Sequence, residues 1–169
     1  MKRIALIATL ILVSATPAFA HSGHAIASGF LHPFLGWDHL IAMLAVGAWG
    51  ATLGNRAIWA VPVAFITAMI VGGAFGMAGL EVPFVETMIL ASVLVLAALA
   101  VARVKLPVWN GMAIVGLFAL AHGYAHGTEI PADASAWVFG AGFVAATSLM
   151  HALGAVMALA VMKAKAVRA

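Results

Sequence analysis

The chain has 169 residues, 66% of them hydrophobic and only 8% charged, and its mean hydropathy is +1.17. A soluble domain carries charge on nearer a quarter of its residues, so the composition excludes a water-soluble globule and points to an integral membrane protein. The net charge of +3 and the pI of about 9.8 do not imply nucleic acid as a partner. The basic residues sit singly or in small groups at the ends of apolar runs, where they orient a chain in a bilayer. Cysteine is absent, which excludes disulfides and thiolate metal sites. Histidine occurs seven times.

Residues 1–20 read as a cleaved signal peptide: Met1-Lys2-Arg3 is a positive start, Ile4 to Val13 an apolar segment and Ala18-Phe19-Ala20 a small-x-small cleavage site. An uncleaved anchor is the alternative and would add one helix. Cleavage after Ala20 leaves a mature chain beginning His21-Ser22-Gly23-His24. The α-amine and imidazole of His21 can chelate a metal together, with His24 nearby, or the segment is a solvated tail with incidental histidines.

Residues 21–169 read as a single transmembrane helical domain, an all-α bundle of about five spans at 33–54, 57–77, 84–102, 108–126 and 135–162. Each is near the roughly 20 residues needed to cross about 30 Å of hydrocarbon. Pro33, Pro83, Pro107 and Pro131 fall near helix starts or in loops, where a missing N–H is tolerated. Pro62 lies early in the second span, where it can kink a helix. With the mature N-terminus outside, five crossings put Arg56, Arg103, Lys105, Lys163, Lys165 and Arg168 inside, as the positive-inside rule requires. Glu81, Glu129 and Asp133 then lie outside, and one span more or fewer would scramble the pattern. Trp49, Trp59, Trp109 and Trp137 lie near span ends like an aromatic belt. The mature N-terminus is then expected outside the cytoplasm, in the periplasm if the membrane is a bacterial inner one, and the C-terminus in the cytoplasm. Gly50/Gly54, Gly72/Gly76 and the Gly140–Gly142 patch are candidates for close helix packing through small residues.

Polar groups at membrane depth are costly and are functional candidates by default. The first span opens with His32, Asp38 and His39. On a straight helix His32 and His39 share a face about 10.5 Å apart, and Asp38 lies about 100° round from His39. All three cannot then ligate one ion. Either the segment around Pro33 and Gly36 is irregular, or the residues serve successive sites. Met43, one turn on, could extend the line with a thioether. The fourth span ends in His122 and His126, an i, i+4 pair suited to one transition metal, with Glu129 following. Two distant segments thus bring four imidazoles and two carboxylates to one level in the outer half of the membrane. Glu86, just inside the third span, and His151, deep in the fifth, stand alone, and a lone polar residue more often ties helices together than binds a ligand. Nitrogen and oxygen donors without thiolate suit divalent Ni, Co, Cu or Zn.

The spacing His32-x5-Asp38-His39, followed by His122-Gly123-x-x-His126-Gly127-x-Glu129, resembles the HupE/UreJ family. The preceding signal peptide and the following "AMLAVG" extend the resemblance over essentially the whole chain. The resemblance implies a small inner-membrane protein linked to nickel supply for hydrogenase or urease, or to cobalt in some members. It also implies that His32, Asp38, His39, His122, His126 and Glu129 take part in metal recognition or passage. Ala121 departs from it, at a place where many members carry Phe.

The leading expectation is a permease for Ni(II) or Co(II), with no tightly bound cofactor and no enzymatic activity. No phosphate-binding GxxxxGK[ST] loop occurs, so the driving force is expected from the ion gradient, the membrane potential or a partner. His151 is the candidate for a relay deeper in the path. The expected partners are the divalent ion and the lipid bilayer; a homo-oligomer or a metallochaperone contact is compatible with the sequence. An intramembrane zinc-dependent hydrolase is the alternative, and a haem-binding electron carrier a third reading.

Overall fold

The computed structural model describes residues 25–130 and 134–168. The signal-peptide segment, His21, His24 and Asp133 lie outside the described residues. Among the described residues the protein is all-helical. It comprises α1 (Ala25–Leu31), a short 3-10 turn (His32–Phe34), α2 (Trp37–Leu53), α3 (Ala57–Met77), α4 (Val85–Val101), α5 (Val108–Thr128) and α6 (Ala136–Val167).

The span expected at 33–54 is bent near its start. Pro33 sits in the first turn of the 3-10 segment, and Gly36 is extended (φ −104°, ψ 115°) before α2 begins at Trp37. The two arms meet at 83°. Gly36 has a further local reason: a Cβ there would stand 2.8 Å from Asp38 Oδ1 and 2.9 Å from His39 Nδ1. Of the two possibilities left open by the spacing, the irregular segment is the one observed.

α3, α5 and α6 are each long and apolar enough to cross a membrane, and the bent pair α1–α2 makes a fourth candidate. α4 is apolar but has 17 residues. Large apolar side chains such as Val63, Ile70, Leu94 and Val156 are exposed on the outside of the bundle, the surface expected of a protein whose solvent is lipid. α3 runs unbroken through Pro62.

The helices approach through glycine. α3 and α5 form the most extensive pair. A Cβ at Gly72 would collide with the Leu120 carbonyl, one at Gly76 with that of Tyr124, and one at Gly123 with that of Met69. The Gly72/Gly76 pair therefore packs as small-xxx-small reasoning expects. Gly50/Gly54 does not act as such a pair. Gly50 packs near Ala57 and Pro62, whereas Gly54 has open space and a φ of +80° as it ends α2. Gly142 abuts the Ile26 carbonyl of α1, and Gly140 has nothing nearby.

α2 and α6 also touch backbone to backbone, Gly47 against His151 and Gly154 against Leu44. At the far end of α2, Trp49 Nε1 donates to the Val104 carbonyl (2.9 Å) and Lys105 Nζ donates to the Thr52 carbonyl. A lysine on the last free carbonyls of a helix is favoured by the dipole. One end of the bundle is thus basic; the other carries the bend at Gly36 and the end of α5.

Candidate metal centre

The bend brings His32 back over the end of α5. His32 Nε2 lies 2.9 Å from Glu129 Oε2, and His126 Nδ1 lies 3.1 Å from the same oxygen. His32, His126 and Glu129 each offer a ligand atom within 4.8 Å of the other two. Glu129 caps the C-terminus of α5 and is half exposed, whereas His126 is buried. The hydrogen bond from His126 lowers the Glu129 pKa, partial burial opposes it, and the bond from His32 lowers it again, to about 2. The carboxylate is therefore ionised and accepts both N–H groups.

Deeper in the bundle the rings continue as a string. Ring centroids lie 5.0 Å apart for His32–His126, 4.5 Å for His39–His126 and 4.9 Å for His39–His122. Phe143 of α6 packs on His126 at 4.3 Å and closes the apolar side of the pocket.

Hydrogen-bond partners assign the tautomers of these rings. Asp38 Oδ1 accepts from the His39 backbone N–H and from His39 Nδ1, both at 2.8 Å. A carboxylate only accepts, so Nδ1 carries the proton and Nε2 the lone pair. His126 Nδ1 donates to Glu129, which leaves Nε2 as its lone pair. His122 is set by Ser92 of α4. The Ser92 hydroxyl donates to the Ile89 carbonyl (2.6 Å) and so must accept from His122 Nε2 (2.8 Å). His122 Nδ1 then carries the lone pair. These three lone-pair atoms, His39 Nε2, His126 Nε2 and His122 Nδ1, are all buried and lack a hydrogen-bond partner among the described residues.

Three buried acceptors without partners in one place are unusual, since buried polar groups are otherwise nearly all satisfied. Neutral imidazoles oriented by carboxylate or hydroxyl on the opposite nitrogen are the form in which histidine ligates metals. The donor set of imidazole and carboxylate fits a borderline divalent cation such as Ni, Co, Cu or Zn.

Residues 8–169 match the family described as HupE / UreJ protein. The chain belongs to the HupE/UreJ family. A HupE/UreJ relative named Protein HupE, from Rhizobium leguminosarum bv. viciae, is 43% identical over 153 residues, covering 88% of this chain and 80% of the relative. No solved structure matches. The resemblance read from the two histidine motifs is thereby established as membership. Membership suggests an accessory role in nickel or cobalt handling.

Within this HupE/UreJ chain, five of the six principal candidates make direct contact in one cluster: His32, His39, His122, His126 and Glu129. Asp38 joins through His39. The weaker candidates are dispersed. Glu86 lies exposed in the first turn of α4 and has no hydrogen bond or ion pair to the cluster. Met43 contributes its backbone, its carbonyl accepting from His151 Nδ1 at 2.8 Å, while its side chain is fully buried in the core. His151 is separated from the cluster by Phe65, whose ring is 5.7 Å from His122 and 5.1 Å from His151. His21 and His24 lie outside the described residues.

Ser92, Phe65 and Phe143 were not singled out in the sequence. Ser92 is a polar group at depth in an apolar helix, and the rule that flagged the histidines could have flagged it. The two phenylalanines carry no signal among nine in the chain.

Proposed function

We propose that the protein is an inner-membrane permease for Ni(II), with Co(II) as the other cargo it accepts, serving metalloenzyme maturation. The observation that carries this reading is the packing of three imidazoles, each with a buried unpartnered nitrogen, next to an outer His32–His126–Glu129 group. The cation is captured at the outer group and sheds water against imidazole and carboxylate. His126 donates Nδ1–H to Glu129 and keeps a buried unpartnered Nε2 beside the His39 ring, so Nε2 is the atom that can take an ion on its way to His39 and His122. Several moderate sites in series let an ion leave as well as enter.

The topology that goes with this reading has five spans after a cleaved signal peptide, with a periplasmic N-terminus and a cytoplasmic C-terminus. α2 and α4, at 17 residues each, are at the low end of the length that spans hydrocarbon. The basic end, marked by Arg56, Arg103 and Lys105, is then cytoplasmic, and the histidine cluster is periplasmic. The test is radioactive nickel uptake by cells or vesicles carrying His39→Ala or His126→Ala. Loss of uptake is expected; uptake equal to wild type refutes the assigned roles.

A further inference from the structure

The string of rings does not stop at His122. Phe65 packs on it at 5.7 Å, and the other face of the path belongs to His151, 5.1 Å from Phe65. His151 stands on α6, which supplies no ligand to the outer cluster, and is 2% exposed. Its backbone abuts Gly47, eight residues beyond His39 on α2, which is about 12 Å further toward the basic end.

The chemistry at His151 repeats that of the outer rings. Nδ1 lies 2.8 Å from the Met43 carbonyl. A carbonyl only accepts, so Nδ1 is protonated and Nε2 holds the lone pair. Nε2 is buried and lacks a partner among the described residues. A tie between α2 and α6 needs only the Nδ1 donor; a serine or asparagine could supply one without stripping water from a second, unsatisfied nitrogen. Close packing at Gly47 and Gly154 holds the ring in place. One turn before His151 on α6, Thr147 Oγ1 lies 3.9 Å from Met69 Sδ of α3, and both are buried.

We infer that His151 Nε2 is a second, inner metal station, which receives the divalent cation after it passes Phe65. This inference rests on the transport reading above. A single imidazole binds more weakly than the outer group, which suits a site that must release its ion inward.

The chain contains no cysteine, so His151→Cys introduces one thiol at the proposed station. With Co(II) in detergent, we expect a thiolate-to-cobalt charge-transfer band in the near ultraviolet, together with the visible d–d absorption of Co(II) at the outer cluster. The d–d absorption without the charge-transfer band overturns the inner station and leaves the outer centre standing. Absence of both in this variant and of d–d absorption in wild type overturns the transport reading as well. A second variant, His151→Gln, keeps a donor for the Met43 carbonyl. It is expected to retain wild-type Co(II) affinity at the outer cluster and to lose nickel uptake into vesicles; uptake equal to wild type reduces His151 to an interhelical tie and overturns the station.

Discussion

Ser92 Oγ and His122 Nε2 are 2.8 Å apart across the contact of α4 with α5, and the direction of that bond is fixed because the serine proton goes to the Ile89 carbonyl. The serine thereby decides which nitrogen of His122 is free. Removing it releases the ring to exchange tautomers and rotamers. Ser92→Ala is expected to weaken Ni(II) or Co(II) binding by about 10–100-fold, the usual cost of losing a group that orients a metal-ligating histidine. Ser92→Thr retains the hydroxyl and is expected to restore most of the affinity. Titration of the purified protein with Co(II), followed by visible absorption, makes the comparison; equal affinities for Ala and wild type would remove Ser92 from the site.

Asp38 plays the same part for His39. Its carboxylate takes both the His39 backbone N–H and Nδ1–H, so it satisfies a free N–H in the first turn of α2 and leaves Nε2 as the His39 lone pair. Asp38→Asn leaves an oxygen of similar shape without the charge that raises imidazole basicity. The expected result is a loss of about 10–100-fold in metal affinity with little change in melting temperature, because the side chain is partly exposed. Melting and metal titration of the same preparation separate the two effects; a large fall in melting temperature would make Asp38 chiefly a helix cap.

The sequence made some of this arrangement legible and hid the rest for identifiable reasons. Histidines and carboxylates stand out because polar groups are rare at membrane depth, and the i, i+4 spacing alone puts His122 and His126 on one helix face. The meeting of His32 with Glu129 was not readable as a contact, because it depends on an 83° turn made by a proline and a glycine that also occur in ordinary loops. The glycines divide in the same way. Gly72 and Gly76 lie at a helix contact, whereas Gly54 ends a helix and Gly140 faces open space. Spacing alone cannot say which face a partner occupies. Ser92 acts only through its contact with His122, and no single-sequence pattern pairs residues on separate helices.

Gly140 and Gly142 offer a direct check on the packing. An alanine at 142 would place its methyl into the Ile26 carbonyl of α1, while one at 140 meets nothing within 4 Å. Gly142→Ala must push α1 away from α6, with an overpacking cost of about 1–3 kcal/mol, and α1 leads directly into the turn that carries His32. Gly142→Ala is therefore expected to lower the melting temperature and weaken metal capture together, and Gly140→Ala to change neither. Identical behaviour of the two variants would contradict the α1–α6 contact.

Glu129 gives the centre its dependence on pH. Its pKa is drawn from the ordinary 4.5 to about 2 by the bond from His126, opposed by partial burial and reinforced by the bond from His32. A depressed carboxyl stabilises the folded state above its unfolded pKa, and that contribution is lost as pH falls through the folded value. The stabilisation is thus complete at neutral pH and disappears between about 4.5 and about 2. Metal-free wild type should melt above Glu129→Gln at pH 7, with the gap closing only in that acid window. Melting curves of the two proteins from neutral pH down to about pH 2 make the comparison. A Glu129→Gln variant as stable as wild type at pH 7 would mean that Glu129 does not hold His32 and His126 together.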